Sequence, residues 1–392
     1  VKNLTMAVKL GIIREGKTPP DKRVPLTPRQ CKEVKERFQN LDLVVQESPI
    51  RAFSDEKYRQ EGVEIVEDLA DCDVIMGVKE VNVEDLIPNK HFFFFSHTIK
   101  KQPYNRDLLK AILQKNIELH DHEVIVKENG ARLIGFGRYA GLVGAYNGFR
   151  LLGIRDNLFE LPKVENLADL EEVKAELNKI KIPNIKICLS GLGKVSKGAK
   201  EILDHLQIKQ ISVEDYLSKN YNEPVYVVID VLDYNKRKDN QDGNKREFFK
   251  DPSGYESDFM RFAKITDYFI AGHFYGDEAP YLFTREDAKK ESFKISLIAD
   301  ISCDIDGPVA STIRPSTIKN PFYAYHPETE KEVDLKHPNS IAVMAVDNLP
   351  CELPKDASIG FGDMFAKHVI PSFFNNDKNS VLKRSLMTTE GM

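Results

Sequence analysis

This chain of 392 residues is poor in cysteine, has no long apolar run and carries no excess of positive charge. Its five cysteines, Cys31, Cys72, Cys188, Cys303 and Cys351, are scattered, odd in number and form no C-x-x-C pair. That spacing argues against a disulfide framework or a zinc site, so no metal is expected, and a reducing, cytoplasmic compartment is favoured. No window approaches the ~20 apolar residues of a membrane span, and the four phenylalanines Phe92 to Phe95 are far too few. A net charge of −5 excludes nucleic acid as a main partner, since a phosphate backbone calls for a basic surface. The start of the chain lacks the basic-then-apolar pattern of a signal peptide, so the sequon Asn3-Leu4-Thr5 is expected to be idle. Repeats and low-complexity tracts are absent.

What is there is ordinary for a folded protein: 41% hydrophobic and 30% charged residues. The length exceeds what one hydrophobic core supports, so two domains are expected. Short apolar runs alternate with helical stretches. Ala7 to Ile13, Leu41 to Val45, Asp73 to Val78 and Phe92 to Ser96 read as strands, the last covered on both faces. Thr27-Pro28 reads as an N-cap with proline at the first helical position, opening a helix to about Phe38. Arg138 to Gly153 and Glu165 to Lys181 have helical period. A second cycle follows, with strands at Ile185 to Leu189, Ile211 to Val213, Val225 to Ile229, Tyr268 to Ala271, Ile295 to Ala299 and Ile341 to Val346, and a helix from Lys197 to Leu206. Such alternation predicts an α/β protein with mainly parallel sheets. Tyr234 to Asp258 is polar and charged and reads as a surface insertion or lid, Pro321 to Asn339 as a β-hairpin excursion, and Lys355 to Phe373 as a closing helix.

Three groups of residues offer chemistry. The turn Ser190-Gly191-Leu192-Gly193-Lys194 lies between a strand and a helix, where glycines let a backbone approach a pyrophosphate at the helix N-terminus. Its spacing is not G-x-G-x-x-G, because Ser196 stands at the third glycine, and an ordinary βα turn is the plain alternative. Glu214, 23 residues after Gly191, stands near where an acid takes the ribose hydroxyls, or else caps a helix. Lys79 and His97 each follow an apolar strand, and ligands of open α/β sheets gather at that edge. A lysine and a histidine there can serve as base and acid; the alternatives are a lysine paired with Glu80 and a polar strand cap. Arg14, Arg23, Lys100, Lys101, Arg132 and Arg138 fall near turns of the first half, and several arginine forks in one cleft would suit a substrate with several carboxylates. Asp300-Ile301-Ser302 and Asp347-Asn348-Leu349 occupy further strand ends, where capping is the alternative.

Taken in order, Arg23-Val24-Pro25-Leu26-Thr27-Pro28, Gly77-Val78-Lys79-Glu80, Phe95-Ser96-His97-Thr98-Ile99-Lys100, Gly135-Phe136-Gly137-Arg138, Lys194-Val195-Ser196-Lys197-Gly198, Asp300-Ile301-Ser302-Cys303-Asp304, Asp347-Asn348-Leu349-Pro350 and Phe361-Gly362-Asp363-Met364 span nearly the whole chain. They resemble the alanine dehydrogenase/saccharopine dehydrogenase superfamily, and within it the lysine–ketoglutarate reductase domain of aminoadipic semialdehyde synthase. The resemblance implies two Rossmann-like domains with cofactor and substrate in the interdomain cleft: residues 1–140 with 345–392 for substrate, and 141–344 for the dinucleotide. It implies that L-lysine and 2-oxoglutarate condense to an imine, which NAD(P)H reduces to saccharopine, or the reverse. Carried over, Lys79 is the proton acceptor and His97 the donor. Arg23, Lys100, Gln102, Arg138, Asp300 and Ser302 hold substrate. Gly191, Gly193, Lys194, Glu214, Asp347, Asn348 and Leu349 touch the nucleotide. Three carboxylates on saccharopine would account for the surplus of cations.

The second catalytic half of the bifunctional enzyme does not appear in the sequence, so a separate protein is expected to use any saccharopine formed. NADH and NADPH stay open, because Glu214 would repel a 2′-phosphate while Lys194 and Lys197 would attract one. A homo-oligomer is left open as well. An alanine dehydrogenase-like enzyme would share Arg23, Lys79 and His97 but has no need of Lys100 and Gln102. A non-catalytic nucleotide-binding or sensor protein would have no use for the lysine–histidine pair.

Overall fold

Thr27 sets the start of the first helix. Its hydroxyl accepts from the Gln30 amide while the Gln30 side chain accepts from the Thr27 amide, a reciprocal cap worth about 1 kcal/mol. With Pro28 at its first position the helix α1 runs Pro28–Arg37, as the Thr-Pro pair predicts. The computed structural model in which this is seen describes residues 7–99 and 101–392. It divides into two units, Val1–Phe136 with Pro354–Met392, and Gly137–Leu353. The divisions fall at 136/137 and 353/354 rather than at 140 and 345, because the helix opening at Gly137 and the turn around Leu349 both pack inside the second unit.

In the first unit six strands form one parallel sheet: β1 Val8–Ile12, β2 Leu41–Gln46, β3 Glu64–Val66, β4 Val74–Met76, β5 His91–Phe94 and β6 Glu118–Asp121. Their order is β3-β2-β1-β4-β5-β6, so the winding reverses between β1 and β4, which is where such sheets bind ligands. Phe92 and Phe94 enter one apolar core and Phe93 and Phe95 the other, so the phenylalanine run is covered on both faces. The helices α1, α2 (Asp55–Gln60) and α3 (Arg106–Gln114) cover the sheet together with two C-terminal helices, α11 (Pro354–His368) and α12 (Val381–Ser385). Gln30 fastens α11 to α1 by donating to the Ile359 carbonyl at 2.7 Å and to Asp363 at 2.8 Å.

The second unit opens on α4 (Gly137–Asp156), then α5 (Leu170–Leu177), which Asp169 caps. The α-helical part of 165–181 is thus shorter than its period suggests. An eight-stranded sheet follows: β7 Lys186–Ser190, β8 Lys209–Gln210, β9 Val225–Ile229, β12 Tyr268–Ala271, β13 Leu297–Asp300, β14 Phe322–His326, β15 Lys331–Val333 and β16 Ile341–Met344. Its order is β15-β14-β16-β13-β12-β7-β9-β8, parallel except for β14, and it reverses between β7 and β12. The remaining helices are α6 (Lys194–His205), α7 (Val213–Ser218), α8 (Lys245–Lys250), α9 (Met260–Ala263) and α10 (Arg285–Ala288). Ile211 to Val213 is not a strand: β8 ends at Gln210, the Ile211 amide makes a last bond to the Tyr226 carbonyl at 2.9 Å, and Ser212 then caps α7 by accepting from the Asp215 amide. The segment 234–258 is ordered structure, a small antiparallel pair of β10 (Asn235–Arg237) and β11 (Tyr255–Ser257) with α8 between them. Phe322 to Val333 forms the expected hairpin. All five cysteines are free thiols, and no helix among the described residues is long and apolar enough to cross a membrane.

Candidate active site

The carboxyl edge of β1, β4 and β5 gathers a set of charged side chains. Lys79 follows β4 and His97 follows β5, and the two strand ends are tied by Gly77 donating to the Phe93 carbonyl and Phe95 to the Val78 carbonyl, both at 2.9 Å. Glu80, next to Lys79, reaches His97 Nδ1 at 2.7 Å and also takes the Lys17 ammonium. Burial works against its charge, yet the hydrogen bonds from His97 and Lys17 hold its carboxyl down at about 2. His97 sits at φ +52°, a left-handed backbone that non-glycine residues adopt at a cost and that clusters at functional positions. Lys79 is half-buried.

Two carboxylates complete this edge, and neither was singled out in the sequence. Glu15, just beyond β1, accepts from the Val78 amide at 2.6 Å and the Lys79 amide at 2.9 Å. Burial, with Asp21 beside it, pushes its carboxyl up to about 8. Asp21 is buried and accepts both arms of the Arg23 fork, Nε at 3.0 Å and Nη2 at 2.7 Å. Burial opposes its charge, but the Arg23 fork and the Lys79 charge hold it below the usual carboxylate value. Arg23 is itself 4% exposed and lies over the Phe136 ring, 4.2 Å from its centre. Its fork is therefore filled from within the chain.

The other expected cations are spread out. Arg132 pairs with Glu123 at 3.2 Å. Arg138, in the first turn of α4, makes a two-pronged bond to Glu201 of α6 at 2.7 and 2.8 Å. Arg14 and Lys101 are exposed and, among the described residues, carry no ion pair. Gln102 is exposed at the start of the short 3-10 turn Pro103–Asn105, and it lines a groove with Thr98, Lys101, Asn105 and Arg106. Lys100 lies outside the described residues.

In the second unit the turn after β7 meets β9 and β12. Gly191 donates to the Ile229 carbonyl at 2.8 Å and has φ +94°; a Cβ there would lie 2.8 Å from the Gly272 carbonyl oxygen. Only glycine fits that position. Ser196, at the third-glycine position, is buried and donates to the Ser190 carbonyl at 2.7 Å and the Gly272 carbonyl at 3.1 Å, so it braces the turn. Gly193 caps α6 in extended backbone with open space around its Cβ position, and Lys194 begins the helix. A pyrophosphate fits this cradle: the backbone is bare and the amide end of a twelve-residue helix faces outward. His273, at the end of β12, holds Ser190 Oγ at 2.7 Å through Nδ1, while its Nε2 is buried without a partner.

Glu214 is not at a strand end. It is exposed in the first turn of α7, where acids suit the helix dipole. The sheet order explains the difference: the strand beside β7 is β9, not the two-residue β8 at the edge. The acid that ends the adjoining strand is Asp230, and the Lys245 ammonium of α8 lies against it at 2.7 and 3.0 Å. Asp300, at the end of β13, is fully buried and accepts from Ser302 Oγ at 2.6 Å, the Cys303 amide at 3.0 Å and Thr312 Oγ1 at 2.6 Å. Both Asp300 and Ser302 thus hold a loop together. Beyond β16, Asp347 is exposed, Asn348 precedes the 3-10 turn Leu349–Glu352, and Leu349 is buried near Gly144 of α4.

Residues 11–143 match the family "Alanine dehydrogenase/PNT, N-terminal domain". The chain is 30% identical over 404 residues to the mitochondrial alpha-aminoadipic semialdehyde synthase of Bos taurus, covering 92% of this chain and 43% of that protein. The likeness is to the alanine dehydrogenase/saccharopine dehydrogenase superfamily. To the saccharopine dehydrogenase [NAD(+), L-lysine-forming] of Candida glabrata the chain is 26% identical over 381 residues, covering 94% of this chain and 91% of that one. The chain spans about two fifths of the length of the aminoadipic semialdehyde synthases it matches. Among solved structures an L-alanine dehydrogenase superposes with a TM-score of 0.65 at 16% identity, covering 98% of this chain and 96% of the other, a likeness of fold.

Proposed function

We propose that this chain is a nicotinamide-dependent oxidoreductase that interconverts L-lysine plus 2-oxoglutarate and saccharopine. The observation that carries the reading is the clustering of Lys79, His97, Glu80, Glu15 and the Asp21–Arg23 pair on one edge of the first sheet, at and beside its reversal. Joining an amine to a keto acid requires protons to be removed from nitrogen and delivered to oxygen. Lys79 takes the first role and His97 the second, with Glu80 fixing the imidazole through Nδ1. Glu15 keeps its proton at neutral pH and so adds no second anion beside Asp21 where substrate carboxylates arrive. The exposed Arg14 and Lys101, which carry no ion pair among the described residues, are available to meet them. When bound, a nicotinamide dinucleotide supplies the hydride; Gly191, Gly193 and Lys194 would hold its phosphates. The free thiols fit a reducing compartment.

The assay is direct: purified chain, lysine, 2-oxoglutarate and NADPH or NADH, with loss of reduced nicotinamide followed by absorbance. Oxidation that needs both lysine and 2-oxoglutarate is expected. Turnover with pyruvate and ammonia, and none with lysine, assigns alanine dehydrogenase chemistry instead.

Asp230 gives a second measurement. A carboxylate at the end of the strand beside the glycine turn favours ribose hydroxyls and disfavours a 2′-phosphate, while Lys245 does the opposite. Asp230→Ser removes the anion and frees the ammonium. It should raise the ratio of kcat/KM for NADPH over that for NADH by about tenfold or more. A ratio unchanged within about twofold would move ribose recognition off β9.

A further inference from the structure

At the amino end of the first sheet, opposite the edge described above, three metal-binding side chains share one face. His91 and Glu118 begin β5 and β6 and are register partners; His120 lies two residues beyond Glu118, so its side chain emerges on the same side. One ligand atom from each of the three lies within 4.8 Å of the others. His120 is 2% exposed and stacked flat on Phe93, with ring centres 4.3 Å apart and planes 3° apart. Its Nδ1 stands 2.9 Å from the Ser385 hydroxyl of α12, which fixes the ring as outer-sphere partners of metal-bound histidines do. Glu118 Oε2 is buried and makes no hydrogen bond, with His91 Nδ1 3.2 Å away.

A carboxylate oxygen shut off from water beside two imidazoles lacks the cation that would satisfy it.

We propose that His91, Glu118 and His120 form a binding site for a divalent transition-metal ion, with zinc the ion best matched by two imidazoles and one carboxylate. Three protein ligands leave a fourth position for water. Zinc–ligand bonds of about 2.0–2.1 Å set the donors roughly 3.4 Å apart, so the site closes by about 1 Å. Side-chain rotation of the partly exposed His91 and Glu118 can supply that movement. The bound ion would join β5 to β6 and, through the His120–Ser385 bond, hold α12 against the sheet. The inference does not depend on the proposed reaction.

The test uses the full chain, stripped with a chelator and desalted, then titrated with zinc alone against a chromophoric competitor, and with cobalt(II) as an optical probe. About one equivalent of zinc should bind, tetrahedral cobalt bands should appear, and the thermal midpoint should rise with zinc. His91→Ala and the near-isosteric Glu118→Gln should each weaken zinc affinity by about tenfold or more, and Ser385→Ala by about tenfold. Circular dichroism of the metal-free variants separates loss of the site from loss of the fold. Absence of saturable binding in the wild type, or equal affinity in wild type, His91→Ala and Glu118→Gln, overturns the proposal.

Discussion

Lys79→Met should lower kcat by about 10²–10⁴-fold, with His97→Asn in the same range, because in the proposed reaction each removes a group that moves a proton. The fold should survive both changes. The Lys79 backbone amide, not its side chain, is what Glu15 holds, so methionine keeps the stem and loses only the amine. Asparagine is the right partner for position 97, because it tolerates φ +52° better than glutamine does. The double variant should be only slightly slower than the worse single one, as expected of groups that act as a unit. Glu15 adds a pH signature. Its carboxyl, raised by burial and by Asp21 to about 8, ionises above that pH and places a second anion beside Asp21. The wild-type kcat/KM for 2-oxoglutarate should fall above pH 8, and Glu15→Gln should flatten that limb. Steady-state kinetics with thermal denaturation as the fold control decides it. Unchanged kcat in both Lys79→Met and His97→Asn would remove these residues from the chemistry.

The sequence carried much of this edge and little of its wiring. Thr27-Pro28, the phenylalanine strand and the glycine turn were legible because local signals produce them: a capping side chain, a doubly covered strand, a bare backbone before a helix. The places of Lys79 and His97 beyond strand ends were legible because each follows an apolar run. What escaped depends on register. Glu15 lies more than sixty positions from the amides it binds, and only the pairing of β1 with β4 brings them together. Arg23 looked like a free fork because nothing local showed that Asp21, two residues back, would fill it. Glu214 falls away from a strand end for a topological reason. Counting about 20 residues from the glycine turn assumes that the next strand is the neighbouring one. Here the next strand is two residues long and sits at the edge, so the neighbour is β9, which Asp230 follows. His91, Glu118 and His120 come together for the same reason, through the pairing of β5 with β6.

Gly141→Ala should cost the second unit about 3 kcal/mol or more, against the helix propensity of the change, which alone would add about 1 kcal/mol of stability. The reason is the crossing of α4 and α6. A Cβ on Gly141 would lie 1.9 Å from the Val195 carbonyl oxygen and 2.7 Å from the Ala199 amide, both backbone atoms of α6 that no rotamer can move. From the other side, a Cβ on Gly198 would lie 2.0 Å from the Arg138 carbonyl oxygen. The two helices therefore touch backbone to backbone, and one methyl group must push them apart. That displacement carries the α6 N-terminus with it, and with it the cradle of Gly193 and Lys194. Gly193→Ala is the informative contrast. Its Cβ meets nothing and its backbone is extended, so stability should hold while dinucleotide affinity falls, because the methyl occupies the approach to the phosphates. Thermal midpoints and dinucleotide titrations on the two variants separate the effects, with a drop of roughly 10 °C expected for Gly141→Ala and almost none for Gly193→Ala. Should Gly141→Ala melt like the wild type, the close crossing does not set the position of the nucleotide turn. In that case the glycines of α4 hold no part of the site in place.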